Sequence, residues 1–178
     1  MAFWTDPTTE PKRAYRWFML IGGIPQWLLK KTGKPAWTVS KTTHKYINHS
    51  FHYPGKVEWQ PLSVTLADPV APDASATMQA ILFESGYHAP EDANDISTIS
   101  KSKAISALGR VVIAQIGADA GDVVEEWELV NAWISDAKFG ELDYDSDEMT
   151  NVEIELTYDY AKLITSGVPA TIDVSDNQ

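Results

Sequence analysis

Cysteine is absent from the 178 residues. That excludes disulfides, thiolate metal sites and a cysteine nucleophile. No apolar run approaches the roughly 20 residues that a membrane-crossing helix needs. The opening Met1, Ala2, Phe3, Trp4, Thr5, Asp6, Pro7 lacks the basic-then-apolar layout of a signal peptide, so a soluble product of the cytosol is expected. Also missing are the Gly-x-Ser-x-Gly nucleophile elbow, the phosphate loop ending in Gly-Lys-Ser/Thr and the Gly-x-Gly-x-x-Gly dinucleotide turn. No residue is put forward as catalytic, and no cofactor is implied. No repeat at a fixed period and no low-complexity tract is present.

Basic residues are scarce over most of the chain. Residues 1–56 carry nine Lys/Arg against two acids, Asp6 and Glu10, a net of +7; residues 57–178 carry five against 23, a net of −18, giving −11 in all. Such asymmetry can mark a nucleic-acid or membrane face. It can equally mark head-to-tail association, in which the positive end of one subunit meets the negative end of the next, or simple unevenness on a solvated surface.

The patterning is mostly that of strands. Aromatic-rich residues 15–21 stop at Gly22 and Gly23, and residues 36–40 follow the turn at Gly33, Lys34 and Pro35. Residues 44–53 are rich in strand formers and are closed by Pro54 and Gly55. Residues 56–67 alternate, with Val57 and Trp59 on one face and Leu62, Val64 and Leu66 on one face. The phase slips at Gln60 and Pro61, where a bulge or edge position is expected. A helix is expected between Asp73 and Ser85: Asp73 suits the N-cap, Ala74, Met78, Ile81, Leu82 and Ser85 recur at helical spacing, and Gly86 suits the left-handed residue after the helix. Residues 88–102 read as a loop, 110–116 as a strand, 118–122 as a turn and 123–134 as one strand. In the last strand Val152, Ile154, Leu156, Tyr158 and Tyr160 alternate with Glu153, Glu155, Thr157 and Asp159, a strict period of two with one buried face.

Candidates for polar chemistry are few. His49 and His52, three apart in a strand-like run, point to opposite faces. His44 and His52 share parity but have no fitting third ligand, so no metal site is expected. Asp143, Asp145, Asp147 and Glu148 are spaced like the start of a calcium loop. That loop wants Gly at position six and Glu at position twelve, where Glu148 and Ile154 stand, and a solvated turn is the expectation. Seven tryptophans suit a core or an interface. Trp17, Trp59, Trp127 and Trp133 lie in strand patterns and read as core; Trp4, Trp27 and Trp37 read as interface candidates.

Residues 127–134 (Trp-Glu-Leu-Val-Asn-Ala-Trp-Ile) lead to 139–147 (Phe-Gly-Glu-Leu-Asp-Tyr-Asp-Ser-Asp) and on to 149–160 (Met-Thr-Asn-Val-Glu-Ile-Glu-Leu-Thr-Tyr-Asp-Tyr). A Trp-bearing strand, a Gly-Glu-Leu segment, an aromatic-Asp-Ser turn and a last strand ending in an acidic-aromatic pair resemble the C-terminal half of tail tube proteins of contractile-tailed bacteriophages. The N-terminal half is similar in layout: a first strand, a long basic hairpin, a Trp-bearing strand and a helix.

The resemblance spans roughly residues 14–163. It implies a mainly β domain of two antiparallel sheets packed as a sandwich or barrel with one flanking helix, preceded by an arm over 1–13 and followed by a tail over 164–178. It further implies hexameric rings stacked into a tube inside a contractile sheath. The implied partners are the chain itself, the sheath protein, tape measure and baseplate or terminator proteins, and double-stranded DNA in transit without specific binding. The implied place is the virion tail, assembled in the host cytoplasm, with no membrane. The same fold builds pyocin, type VI and other phage-derived injection tubes, and that alternative stays open. So do a carbohydrate- or peptide-binding β-sandwich and a small acid–base hydrolase.

On that reading the basic, aromatic run 41–53 forms a hairpin reaching the next ring. Lys41, Lys45, His49 and His52 are its candidate stacking residues, and Asp143, Asp145, Asp147 and Glu148 the acceptors. Acidic walls repel phosphate and let DNA slide; Glu153, Glu155 and Asp159 are the candidate lumen residues, with Glu126 and Glu128 as the rival pair.

Overall fold

The computed structural model describes residues 10–91, 96–118 and 122–165. Most of the expected arm and tail, the centre of the turn at 118–122, and Trp4 lie outside the described residues. In chain order the elements are β1 (Trp17–Leu20), β2 (Leu29–Thr32), β3 (Trp37–Tyr46), β4 (His49–Trp59), β5 (Leu62–Ala67), α1 (Ala74–Glu84), α2 (Lys101–Leu108), β6 (Val111–Ile116), β7 (Val123–Val130), β8 (Trp133–Lys138), β9 (Asn151–Thr157) and β10 (Tyr160–Thr165). Two four-stranded antiparallel sheets form, ordered β1-β6-β7-β10 and β2-β5-β9-β8. Among the described residues, strands β3 and β4 pair only with each other. The mainly β architecture with two antiparallel sheets is the one expected.

The alternating strands explain the core. Leu62, Val64 and Leu66 of β5 stand opposite Leu156, Ile154 and Val152 of β9, and all six are buried. Burying each such side chain contributes about 1.5–3 kcal/mol. From the first sheet Met19, Val111, Ile113 and Leu129 join the same cluster. Helix α1 begins where Asp73 accepts a hydrogen bond from the Ala76 amide at 2.9 Å, and its Ala74, Met78 and Ile81 reach the core.

Several elements differ from the expectation. Residues 101–108 form α2, capped by Ser100 and ended by Gly109 at φ +70°; Ala104 and Leu108, one turn apart, are its buried pair. The strand expected over 123–134 is two strands. Asn131 takes φ +57° and the chain passes from the first sheet to the second, since Asn tolerates the left-handed region that most residues avoid. The last alternating strand stops at Thr157. Tyr158 is buried, the Asp159 amide bonds to the Val130 carbonyl at 3.0 Å, and Tyr160 opens β10 in the other sheet with its ring exposed. The phase slip at Gln60 and Pro61 is likewise a change of sheet, not a bulge, with the Gln60 amide donating to the Ala36 carbonyl at 2.8 Å. A bulge does occur at Gly55, inside β4, where the sequence suggested a strand end. The Ser40 hydroxyl accepts from the Lys56 amide at 2.9 Å, and a Cβ on Gly55 would sit 2.4 Å from that hydroxyl.

Candidate assembly surface

The hairpin β3–β4 is the feature that sets this molecule apart from a closed sandwich. Every residue of β3, and every residue of β4 before Trp59, is exposed. At ten residues β3 is roughly 30 Å long. Its tip is Ile47 and Asn48, with Ile47 at φ +53° and 88% exposed. An isolated two-stranded ribbon is marginally stable in water, and among the described residues no further strand pairs with either of its edges.

Register sorts the side chains into two faces. Beyond the bulge Lys41 stands opposite Pro54, Thr43 opposite His52 and Lys45 opposite Ser50, which makes one basic, polar face. Thr42 stands opposite Tyr53, His44 opposite Phe51 and Tyr46 opposite His49, which makes the other face aromatic. His49 packs edge-on against Phe51 at 4.8 Å between ring centres. His52 faces Thr43, with Nδ1 3.1 Å from its hydroxyl. His44 and His52 therefore do not share a face, as their numbering suggested, because the turn at Ile47 lies between them. Nearer the body, Trp37 pairs with Trp59 and Val39 with Val57. Trp37 is exposed, as is Trp27, while Trp17, Trp59 and Trp127 pack partly buried against the core.

The predicted acceptors lie at the opposite end of the molecule. The hairpin leaves the body just before Leu62, the first residue of β5. The loop with Asp143, Asp145, Asp147 and Glu148 returns to the body at Asn151, which pairs with Ala67, the last residue of β5. The six residues of β5 separate the two by roughly 20 Å. This loop also exposes Leu142, Tyr144 and Met149. One end thus carries lysines with aromatic rings, and the other carries carboxylates with apolar side chains.

The acids proposed for a channel wall fall in three settings. Glu153 and Glu155 are exposed on the outer face of the second sheet. There Lys31, Thr65, Glu153 and Lys138 form one row across all four strands. Glu126 and Glu128 are on the outer face of the first sheet, each bonded by Arg110, at 3.3 and 2.8 Å. Asp159 is engaged within the subunit: the Lys101 ammonium and the Asn131 amide donate to it at 2.7 Å, and these bonds hold its carboxyl below the usual range.

One polar centre has no counterpart in the sequence reading. Glu125 of β7, with its side chain 8% exposed, accepts from Lys12, from Lys34 at 2.7 Å and from the Trp127 indole. Lys34 also donates to Gln115 at 2.7 Å, and Gln115 donates to the Arg13 carbonyl at 3.1 Å. Burial alone pushes the Glu125 carboxyl up; the donors outweigh it and bring it down to about 2. The segment before β1 and the approach to the hairpin are both tied to this carboxylate. Its parity with Val123, Trp127 and Leu129 put an acid on the apolar face of the strand, a signal that the sequence reading passed over.

No protein-family model and no curated protein matches the sequence. Solved structures do match the fold. A chain of the 6-fold symmetrised baseplate of the anti-feeding prophage superimposes with a TM-score of 0.62 at 16% identity, over 90% of this chain and 99% of that one. A chain of the sheath/tube terminator of an extracellular contractile injection system gives 0.63 at 13% identity, over 89% and 99%. The fold is shared with parts of contractile injection assemblies. A chain of an extended sheath–tube complex of such a system gives 0.57 at 17% identity, over 89% and 94%. The likeness to contractile assemblies runs along nearly the whole of each chain, so it concerns the entire architecture and not one sheet.

Proposed function

We propose that this chain is a structural subunit of the tube of a contractile injection apparatus or phage tail, and that it assembles with itself in stacked hexameric rings. The observation that carries the reading is the placement of an uncovered basic–aromatic hairpin and an acidic loop at opposite ends of this fold. A subunit built so has complementary ends, and heterologous contacts of that kind repeat from copy to copy. Lys41, Lys45, His49 and His52 are the stacking residues of one end; Asp143, Asp145, Asp147 and Glu148 are those of the other. Each exposed pair is worth only about 0–1 kcal/mol, but a ring multiplies them.

The outer face of the second sheet, with Glu153 and Glu155, is assigned to the lumen. Asp159 is taken up by Lys101 and Asn131 and contributes less free charge. Sheath, tape measure, baseplate or terminator proteins and DNA in transit are the partners this role entails. Negative-stain microscopy of concentrated protein tests it: rings or tubes are expected from the wild type and not from the double variant Lys41→Glu, Lys45→Glu. A compact monomer at every concentration and salt would remove the reading.

A further inference from the structure

We propose that the groove between α1, α2 and β8 is the seat for the aromatic face of the hairpin of a second copy. The proposal rests on the self-assembly reading and says where the hairpin goes. The groove has a volume of about 290 Å³ and is lined by Met78, Ile81, Leu82, Ile99, Trp133 and Phe139. Leu82, Ile99 and Phe139 are exposed, an apolar surface that water covers at a cost.

Three observations commit the groove to this occupant. The first is continuity: Phe139 also lines the hollow formed by Glu141, Asp143 and Glu148. The apolar groove therefore borders the acidic loop at Phe139. The second is complementarity. The hairpin offers Tyr46, Phe51 and Tyr53 on one face, while Lys41 and Lys45 stand on the opposite face, both on β3 and so both next to the same long edge of the ribbon. With the rings down in the groove, those lysines reach around the ribbon by their flexible stems and meet the acidic wall beside Phe139. The third is geometry within one copy. The hairpin root and the acidic loop lie at opposite ends of β5, and the hairpin side chains are exposed along its length. The hairpin does not fill its own groove, so a second copy fills it.

The natural absence of cysteine makes introduced thiols unique. Tyr46→Cys protein is mixed with Leu82→Cys protein under assembly conditions and treated with a short bifunctional thiol crosslinker; His44→Cys replaces Tyr46→Cys if the latter does not assemble. A crosslinked two-copy band is expected for this mixture and not for Tyr46→Cys mixed with Leu20→Cys, which lies on the first sheet. Rings or tubes in the micrographs without the Leu82 crosslink, or with equal crosslinking to Leu20, overturn the groove assignment and leave the tube reading standing. No assembly by any variant or by the wild type overturns both. In a second arm, Glu141→Lys with Asp143→Lys is added to Lys41→Glu with Lys45→Glu. Assembly lost in the hairpin variant is expected to return in the fourfold variant, and failure to return rejects the acidic loop as the facing wall.

Discussion

Replacing Glu125 by Gln tests whether one buried carboxylate clamps the segment before β1 and the hairpin approach to the first sheet. Glutamine keeps the shape and can still accept from the Trp127 indole, but it removes the charge that Lys12 and Lys34 share. The carboxyl is held at about 2 in the folded chain against an ordinary 4.5. At 1.36 kcal/mol per unit, the ionised form contributes about 3 kcal/mol of stability near neutral pH. The sign follows from a depressed carboxyl: the contribution is fully present above pH 4.5 and is lost as pH falls toward 2, with about 2 kcal/mol gone by pH 3. Lys12 and Lys34 are half exposed and can turn to water, so the variant falls at the low end of the cost of breaking a buried pair, about 3 kcal/mol. Urea unfolding of dilute protein at pH 7 and pH 3 reads this directly. The gap between wild type and Glu125→Gln is expected to be about 3 kcal/mol at pH 7 and to shrink by about 2 kcal/mol at pH 3. An equal gap at both values would refute the clamp, because it would show that shape and not charge sets the cost.

Two further outcomes follow from local geometry. Ile47→Asn at the hairpin tip relieves a β-branched residue at φ +53°; about 1 kcal/mol of relief is expected, which slows amide exchange of β3 and β4 in dilute protein roughly fivefold, and unchanged exchange would show that the tip is not strained. Asp159→Asn weakens the bonds from Lys101 and Asn131; exchange in α2 is expected to quicken while β5 stays protected, and uniform quickening would mean that the contact serves global stability instead of docking α2.

The legible parts of the sequence were those where local pattern and tertiary placement agree. Strands β5 and β9 alternate strictly, and α1 carries both its cap at Asp73 and its stop at Gly86. The hairpin turn was hidden because Ile47 is a poor residue for a left-handed position. Pro54 and Gly55 look like a turn but form a bulge on a strand whose outer edge is unpaired, where a missing N–H costs little. Helix α2 is short and its signal is confined to Ser100, Gly109 and the Ala104–Leu108 pair. The basic and acidic blocks of the candidate surface were visible as blocks. Their placement at opposite ends was not, since it follows from both flanking the same strand, β5. The clamp at Glu125 was hidden for a related reason: its inward parity is readable, but its partners Lys12 and Lys34 are far away in sequence.

The charge split reads differently once it is mapped onto the fold. On the outer face of the first sheet Arg110 engages Glu126 and Glu128, and Lys162 stands opposite Glu128. On the outer face of the second sheet Lys31 and Lys138 close the row that holds Glu153. The first face thus pairs its own acids with its own bases, whereas on the second Lys138 bonds Asp136 and Glu155 stands opposite that same aspartate. The ends carry charge of opposite sign, positive along the hairpin and negative in the loop carrying Asp143, Asp145, Asp147 and Glu148. Opposed charge at two ends favours one orientation of approach and penalises the reverse, because like ends repel. Contacts of that heterologous kind extend along an axis until something caps them. The salt dependence of the two directions therefore separates them. Added salt screens the exposed ends over about 8–10 Å and weakens end-to-end stacking, while side-to-side contacts that do not rest on charge keep their strength. Rings that persist at a salt concentration where tubes have dissolved are the expected result, and simultaneous loss of both would place the charge contacts between lateral neighbours instead.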